Sequence, residues 1–153
     1  MTRTVGTLES GDDHELPPAE FAFPGPLRDQ LIAAILRGSK TSTTSLLVQY
    51  STEDGPLPVV GERRRVIDSH GLPAAVIETV AVRTVRLADV DLEHTRDEGE
   101  GFDSVGAWRT AHEEFWHSPE MRHDLNDPAF TTTDDTRVVV ERFRLVRVLG
   151  TPS

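Results

Sequence analysis

The sequence predicts one mixed α+β domain, a small curled sheet or mixed β-barrel flanked by helices, and three observations carry that expectation. Runs rich in Val, Ile and Thr recur along the chain, and few helical stretches separate them. Two of those stretches, near 27–37 and 104–116, show clear helical periodicity. No internal repeat or linker interrupts the 153 residues, a length that suffices for a single core.

Residues 1–20 mix Gly, Pro, Asp and Glu with little apolar content and read as a flexible N-terminal tail, leaving 21–150 as the domain. PGPLRDQLIAAILRG predicts a helix over 27–37, with proline at its start, Leu27, Leu31, Ile32, Ile35 and Leu36 along it, and Gly38 as its stop. SLLVQY reads as a strand and the following STEDGPLPVVG as a loop. ERRRVIDSHGLPAAVIETVAVRTVRL contains two β-rich runs around a His-Gly turn, a long hairpin. The acidic stretch 88–101 predicts a short helix before its glycines. DSVGAWRTAHEEFWHS opens on a capping residue and sets Val105, Trp108, His112, Phe115 and Trp116 at helical spacing. A polar loop rich in Asp, Pro and Thr follows, and TRVVVERFRLVRVL closes the chain as a strand.

Composition narrows the function classes. There is no cysteine, which excludes disulfides, thiolate chemistry and cysteine-based zinc sites. The acidic start lacks an apolar h-region, and the longest apolar run, Leu31 to Leu36, is far too short to span a bilayer, so a cytoplasmic protein without a membrane partner is expected. The net charge of −10 favours a small or weakly charged substrate over long nucleic acid, unless the basic residues are segregated. They partly are, as Arg63, Arg64 and Arg65, then Arg83 and Arg86, then Arg137, Arg142, Arg144 and Arg147. Such runs are either solvated strand faces or a basic patch.

Lys40 is the only lysine beside fifteen arginines. Arginine keeps its charge in essentially any protein environment, whereas a buried lysine can lose its proton and act as a base or nucleophile. Lys40 also stands beside five hydroxyls, Thr41, Ser42, Thr43, Thr44 and Ser45, just past a helix C-terminus whose carbonyls favour a cation. A hydroxyl becomes a good nucleophile when a nearby base takes its proton. The same run also reads as an ordinary Thr/Ser-rich entry into a strand.

Gly38, Lys40 and Thr43, a G-x-K-x-x-T following an amphipathic helix, resemble the signature of the ASCH domain family, a PUA-like β-barrel group. AVIETVAV at 75–82 resembles the family's central strand, and VVVERFRLV its last. EHTRDEGEGFDSVGAWRTAHEEFW at 93–116 resembles the E-x-E-G-x-x-S-x-x-x-W-R-x-x-H-x-x-F block of a longer bacterial branch. The resemblance implies a PUA-like fold over all but the tail. Short members of the family are amidohydrolases that remove the acetyl group from 4-acetylcytidine, using a Lys, a Thr three residues on and a downstream Glu. By that likeness Lys40 takes the proton of Thr43, Thr43 attacks the acyl carbonyl, and Glu98 handles protons at the departing amine. Amides near Gly38 are the candidate oxyanion donors, set against the unfavourable dipole of a helix C-terminus. Ser45, with Gly38 a candidate substrate-binding residue, stands where the short enzymes carry arginine. Longer members are associated with RNA binding or cleavage, which implies a single-stranded RNA partner as the alternative to a small nucleoside; a non-catalytic nucleotide sensor is a third reading. No cofactor or metal is implied, and a homodimer is left open.

Within the matched block, Ser104, Trp108, Arg109 and His112 are candidate pocket residues, Trp108 as a stacking platform for a base or else as core. Glu98 and Glu100 flank Gly99 as a carboxylate pair able to split their pKa values, or as a solvated acidic loop. Glu78 points either into the barrel toward Lys40 or outward. HEEFWH does not read as a zinc motif, because His112 and His117 are five residues apart and diverge by roughly 140° around a helix.

Overall fold

The computed structural model describes residues 15–52 and 56–149, so residues 1–14 of the expected tail lie outside the described residues. Pro18–Ala19, which the sequence places in that tail, form a short strand β1 that pairs in parallel with β3 (Arg63–Ile67). Helix α1 (Pro26–Leu36) begins on its proline and ends before Gly38, as the pattern predicts.

The expected strand 45–50 is corrected in register. Strand β2 runs Ser42–Leu46 and passes directly into helix α2 (Leu47–Thr52). The Gln49 side-chain oxygen accepts the Leu46 amide at 2.9 Å, closing the helical turn and stopping the strand. The predicted hairpin is present as β3 and β4 (Pro73–Arg86), and β5 (Arg137–Val148) is the closing strand. The acidic stretch supplies α3 (Leu92–Asp97), whose N-cap Asp91 accepts the His94 amide. Ser104 caps α4 (Val105–Trp116) in the same way through Ala107. Within the predicted polar loop a further helix, α5 (Pro119–Asp124), forms behind the Ser118 cap.

The strands make one sheet in the order β1-β3-β4-β5-β2, antiparallel except for β1. The expected barrel is not closed among the described residues. The edge β1 is only two residues long and starts on a proline, which has no amide to donate, and the other edge, β2, turns into a helix. The fold is thus mixed α+β with an open five-stranded sheet covered on both faces. On one face Leu31, Ile32 and Ile35 of α1 pack with Phe21, Val66, Ile77 and Phe143. On the other, Trp108, Trp116, Met121 and Leu125 pack on Leu46, Val138 and Val140. Among the described residues no helix is long and apolar enough to cross a membrane.

Candidate functional site

The stretch Ser39–Ser42 lies against the C-terminal end of α3, and backbone bonds hold it there. The Thr41 amide donates to the Asp97 carbonyl at 2.8 Å, the Thr41 carbonyl accepts Phe143 N at 3.0 Å, and Ser42 Oγ donates to the His94 carbonyl at 3.3 Å. Gly99 makes the approach possible: a Cβ there would stand 2.4 Å from Ser39 O and 2.7 Å from Lys40 Cα. The result is that Lys40 turns away from the helix end and into the protein. Its Nζ donates to the carbonyls of Ser42 (2.9 Å) and Glu98 (3.3 Å) and lies 3.5 Å from Glu98 Oε1 and 3.7 Å from Glu100 Oε2. The Phe21 ring lies 5.9 Å from the same nitrogen.

Glu98 is the hub. Its Oε2 accepts Thr44 Oγ1 at 2.5 Å and lies 3.0 Å from His94 Nε2, while Oε1 lies 3.3 Å from His112 Nε2. Burial alone would raise the Glu98 pKa, but the Lys40 charge and the hydrogen bonds from His112 and His94 outweigh it and hold the carboxyl well below the usual carboxylate range. Burial pushes the Glu100 carboxyl up; Lys40 opposes this and the Glu98 charge reinforces it. Burial also works against a charged His112, yet its hydrogen bond to Glu98, the Glu98 charge and the Nδ1–H donated to the Trp108 carbonyl (2.9 Å) raise it above the ordinary histidine value. Neighbouring carboxylates are thereby driven in opposite directions. The Lys40 and Glu98 side chains are each 1% exposed, against 19% for Glu100 and 14% for His112, so a ligand reaches the cluster through the last two.

Of the residues singled out in the sequence, the fold brings together Lys40, Glu98, Glu100 and His112. Thr43 is not among them. In β2 the side chains of Ser42, Thr44 and Leu46 face inward on the α3 side, and Thr43 and Ser45 alternate to the other face, where Thr43 sits opposite Glu141. The hydroxyl beside the acid belongs to Thr44. Gly38 is an exposed turn, and the amides near it are already used, since Gly38 N donates to Ile35 O and both Ser39 N and Lys40 N to Ala34 O. Ser104 is a helix cap. Arg109 pairs with Glu113 (3.2 Å) and Asp134 (2.7 Å). Trp108 is fully buried, stacked on His112 at 4.3 Å and edge-on to Trp116, which makes it the support of His112 and not an open platform. Glu78 binds Arg63 and Arg144 on the sheet, not Lys40.

Two residues of the cluster were not selected as site residues in the sequence, Thr44, there only one of five hydroxyls beside Lys40, and His94. Thr44 Oγ1 lies 2.6 Å from His94 Nε2; because the hydroxyl proton goes to Glu98, that ring nitrogen faces two acceptor oxygens and carries its own proton. His94 and Glu98 are four apart on one helical turn, a spacing that brings side chains together and was visible in the sequence. Glu98, Glu100 and His112 offer ligand atoms within 4.8 Å of one another, but Lys40 Nζ already takes the cation position between the two carboxylates. His112 and His117 do not converge; His117 binds Thr132.

The charge on His112 links stability to pH. A histidine whose pKa is raised by folding contributes stability in full below its unfolded value of about 6.5 and loses it as pH rises through the higher folded value. The urea midpoint of the protein is therefore expected to fall between pH 6 and pH 8.5, and His112→Gln to flatten that decline. An equally steep decline in the variant would remove His112 as its cause.

A profile of the ASCH domain matches residues 20–147 of this chain. Among solved structures, the chain is similar to an ASCH domain from Lactobacillus crispatus JV V101, with a TM-score of 0.70 and 27% identity over 86% of this chain and 80% of that one. It is also similar to the protein EF3133 from Enterococcus faecalis V583, with a TM-score of 0.75 and 23% identity over 97% and 91% of the two chains. No curated protein matches the sequence.

Proposed function

The chain belongs to the ASCH domain family, and from that premise we propose that the Lys40 cluster hydrolyses the acyl amide of an N4-acylated, cytidine-like nucleoside. The observation that carries this reading is the single amine held between two carboxylates of opposite tendency, with only Glu100 and His112 opening outward. Glu100 and His112 are the catalytic pair. Glu100, ionised, takes a proton from water as its oxygen adds to the acyl carbon. The carbon–nitrogen bond then breaks, and the His112 imidazolium gives its proton to the departing N4. The products are the free acid and the nucleoside amine. Lys40 and Glu98 act behind them: Lys40 opposes the upward push on Glu100, and Glu98 keeps His112 protonated. The role of Lys40 as base toward Thr43 loses its support, because that hydroxyl lies on the other face of β2.

The same arrangement suits the base. Phe102, edge-on to His112 at 6.3 Å, adds an apolar wall. Activity requires Glu100 ionised and His112 protonated, so the rate rises as pH passes the raised Glu100 pKa and falls as pH passes the raised His112 pKa.

The test is incubation with 4-acetylcytidine, related acylated cytidines and short RNA in parallel. Free cytidine is the expected product, and Glu100→Gln is expected to lower kcat by about 10²–10⁴-fold, the usual share of a general base. Turnover that survives Glu100→Gln, or no release from any acylated cytidine, overturns the reading. A ribonuclease that grips a phosphate on Lys40 is disfavoured, since Glu98 and Glu100 would face the same phosphate. A strand of RNA would need its phosphates held elsewhere.

A further inference from the structure

The pairing register sets an unengaged cation and an unengaged anion on opposite walls of one cavity. Six strand arginines, Arg63, Arg65, Arg83, Arg142, Arg144 and Arg147, share the sheet face that carries α3. Arg83 and Arg147 reach it through the register shifts at Thr79/Ala81 and Val76/Ile77. Most of the six already have partners. Glu78 bridges Arg63 (3.1 Å) and Arg144 (3.0 Å), Asp97 binds Arg142, and Arg65 Nε donates to the Leu16 carbonyl at 2.8 Å. The exposed Arg83 guanidinium has no hydrogen bond or ion pair among the described residues, and the exposed Glu93 carboxylate of α3 has none either.

The cavity between them holds about 370 Å³. On the sheet wall Arg83 lies opposite Val140 and Arg142 opposite Ala81, so two guanidiniums flank a floor of two apolar side chains. The α3 wall carries Asp91, Glu93 and His94. Asp91 Oδ1 accepts the His94 amide at 2.9 Å, which leaves its second carboxylate oxygen to a ligand. His94 adds what charge alone does not supply. Its side chain is 4% exposed, and its Nε2 is held between Thr44 Oγ1 (2.6 Å) and Glu98 Oε2 (3.0 Å). That nitrogen carries the ring proton, so Nδ1 is a bare acceptor, and it has no partner among the described residues. A buried acceptor in that condition favours any donor that reaches it.

We infer that this cavity binds a small zwitterion, an α-amino acid, with its carboxylate on Arg83 and its ammonium among Glu93, Asp91 and His94 Nδ1. The two walls select against simpler ions. A lone anion would face two carboxylates and a lone cation two guanidiniums, whereas a molecule bearing both charges meets the opposite sign on each side. A guanidinium fork matches a carboxylate with two parallel bonds, and an ammonium has three N–H donors to share. Ala81 and Val140 leave room for a short side chain, and the volume lies toward the small end of ligand sites. The inference stands apart from the hydrolase reading, because it requires no turnover and uses neither Glu100 nor His112. The His94 ring is its link to the Lys40 cluster.

The test is an NMR titration of the ¹⁵N-labelled protein with L-alanine, L-serine and L-glutamine, with acetate and ethylammonium as half-ligands. At least one amino acid should bind saturably and move the His94 Nδ1 resonance, and either half-ligand should bind at least about tenfold more weakly. Arg83→Gln and Glu93→Gln, made separately, should each weaken the amino acid by about tenfold or more, the equivalent of one charge-assisted hydrogen bond. Urea midpoints verify that both variants fold. No saturable binding of any of the three amino acids at millimolar concentration overturns the inference, as does a half-ligand that binds as tightly or equal affinity in wild type and variants. Binding that leaves the His94 resonances unmoved places the ligand elsewhere and overturns it as well.

Discussion

Replacing Lys40 by methionine is expected to cost about 3–5 kcal/mol of stability at pH 7.5, the range for removing one partner of a buried ion pair. Methionine fills much of the volume but leaves Glu98, 1% exposed, with its strongest counter-charge gone. The carbonyls of Ser42 and Glu98 lose their donor as well. The sign of the pH dependence follows from Glu98. Its pKa is depressed by folding, so its contribution to stability is present above the unfolded carboxylate value and is lost as pH falls through the folded one. In the variant Glu98 protonates at higher pH, so the gap between wild type and variant should narrow from pH 7.5 to pH 5. Adding Glu98→Gln to the methionine variant removes the stranded charge and should restore part of the loss. Urea unfolding of the single and double variants at both pH values measures this. A single variant as stable as wild type at pH 7.5 would mean that the pair is not what holds α3 against the Lys40 segment.

The same cluster explains what could and could not be read from the chain. Lys40 stood out by composition, and the helix before it by periodicity with a proline and a glycine at its ends; both are local signals, and local signals survive folding. Glu98, Glu100 and His112 were legible through the resemblance of the 93–116 block, although their convergence on Lys40 needs the approach of two segments nearly sixty residues apart. Thr43 was named on the motif of the resemblance, which carries no strand register. Starting the strand at Ser45 instead of Ser42 discards the alternation that places Ser42 and Thr44 on one face and Thr43 on the other, and one residue of register reverses every side chain. Closure of the sheet was equally out of reach, because it depends on which edges pair and not on where strands occur. The arginines of β3, β4 and β5 were visible as runs, but that six of them share one face was not, since two of the six reach it only through register shifts that no periodicity announces.

Gly99→Ala should be the most damaging change that leaves every charged group in place. Gly99 has φ +72, where an alanine costs about 1–2 kcal/mol on its own. Gly38 has a similar φ of +84 with nothing within 4 Å of an added Cβ, so Gly38→Ala isolates that conformational cost. At Gly99 the Cβ would also stand 2.4 Å from Ser39 O and 2.7 Å from Lys40 Cα, both backbone atoms that cannot rotate aside. The α3 end must then separate from residues 39–41, which strains the Thr41 N to Asp97 O bond and draws Glu98 away from Lys40. The expected loss for Gly99→Ala is above about 3 kcal/mol, accompanied by loss of the proposed hydrolysis and a return of the Glu98 pKa toward the ordinary carboxylate range. Gly38→Ala should stay within about 2 kcal/mol with the proposed hydrolysis intact. Equal losses from the two substitutions would show that left-handed backbone alone accounts for Gly99. The close packing of α3 on the Lys40 segment would then carry no weight in shaping the site.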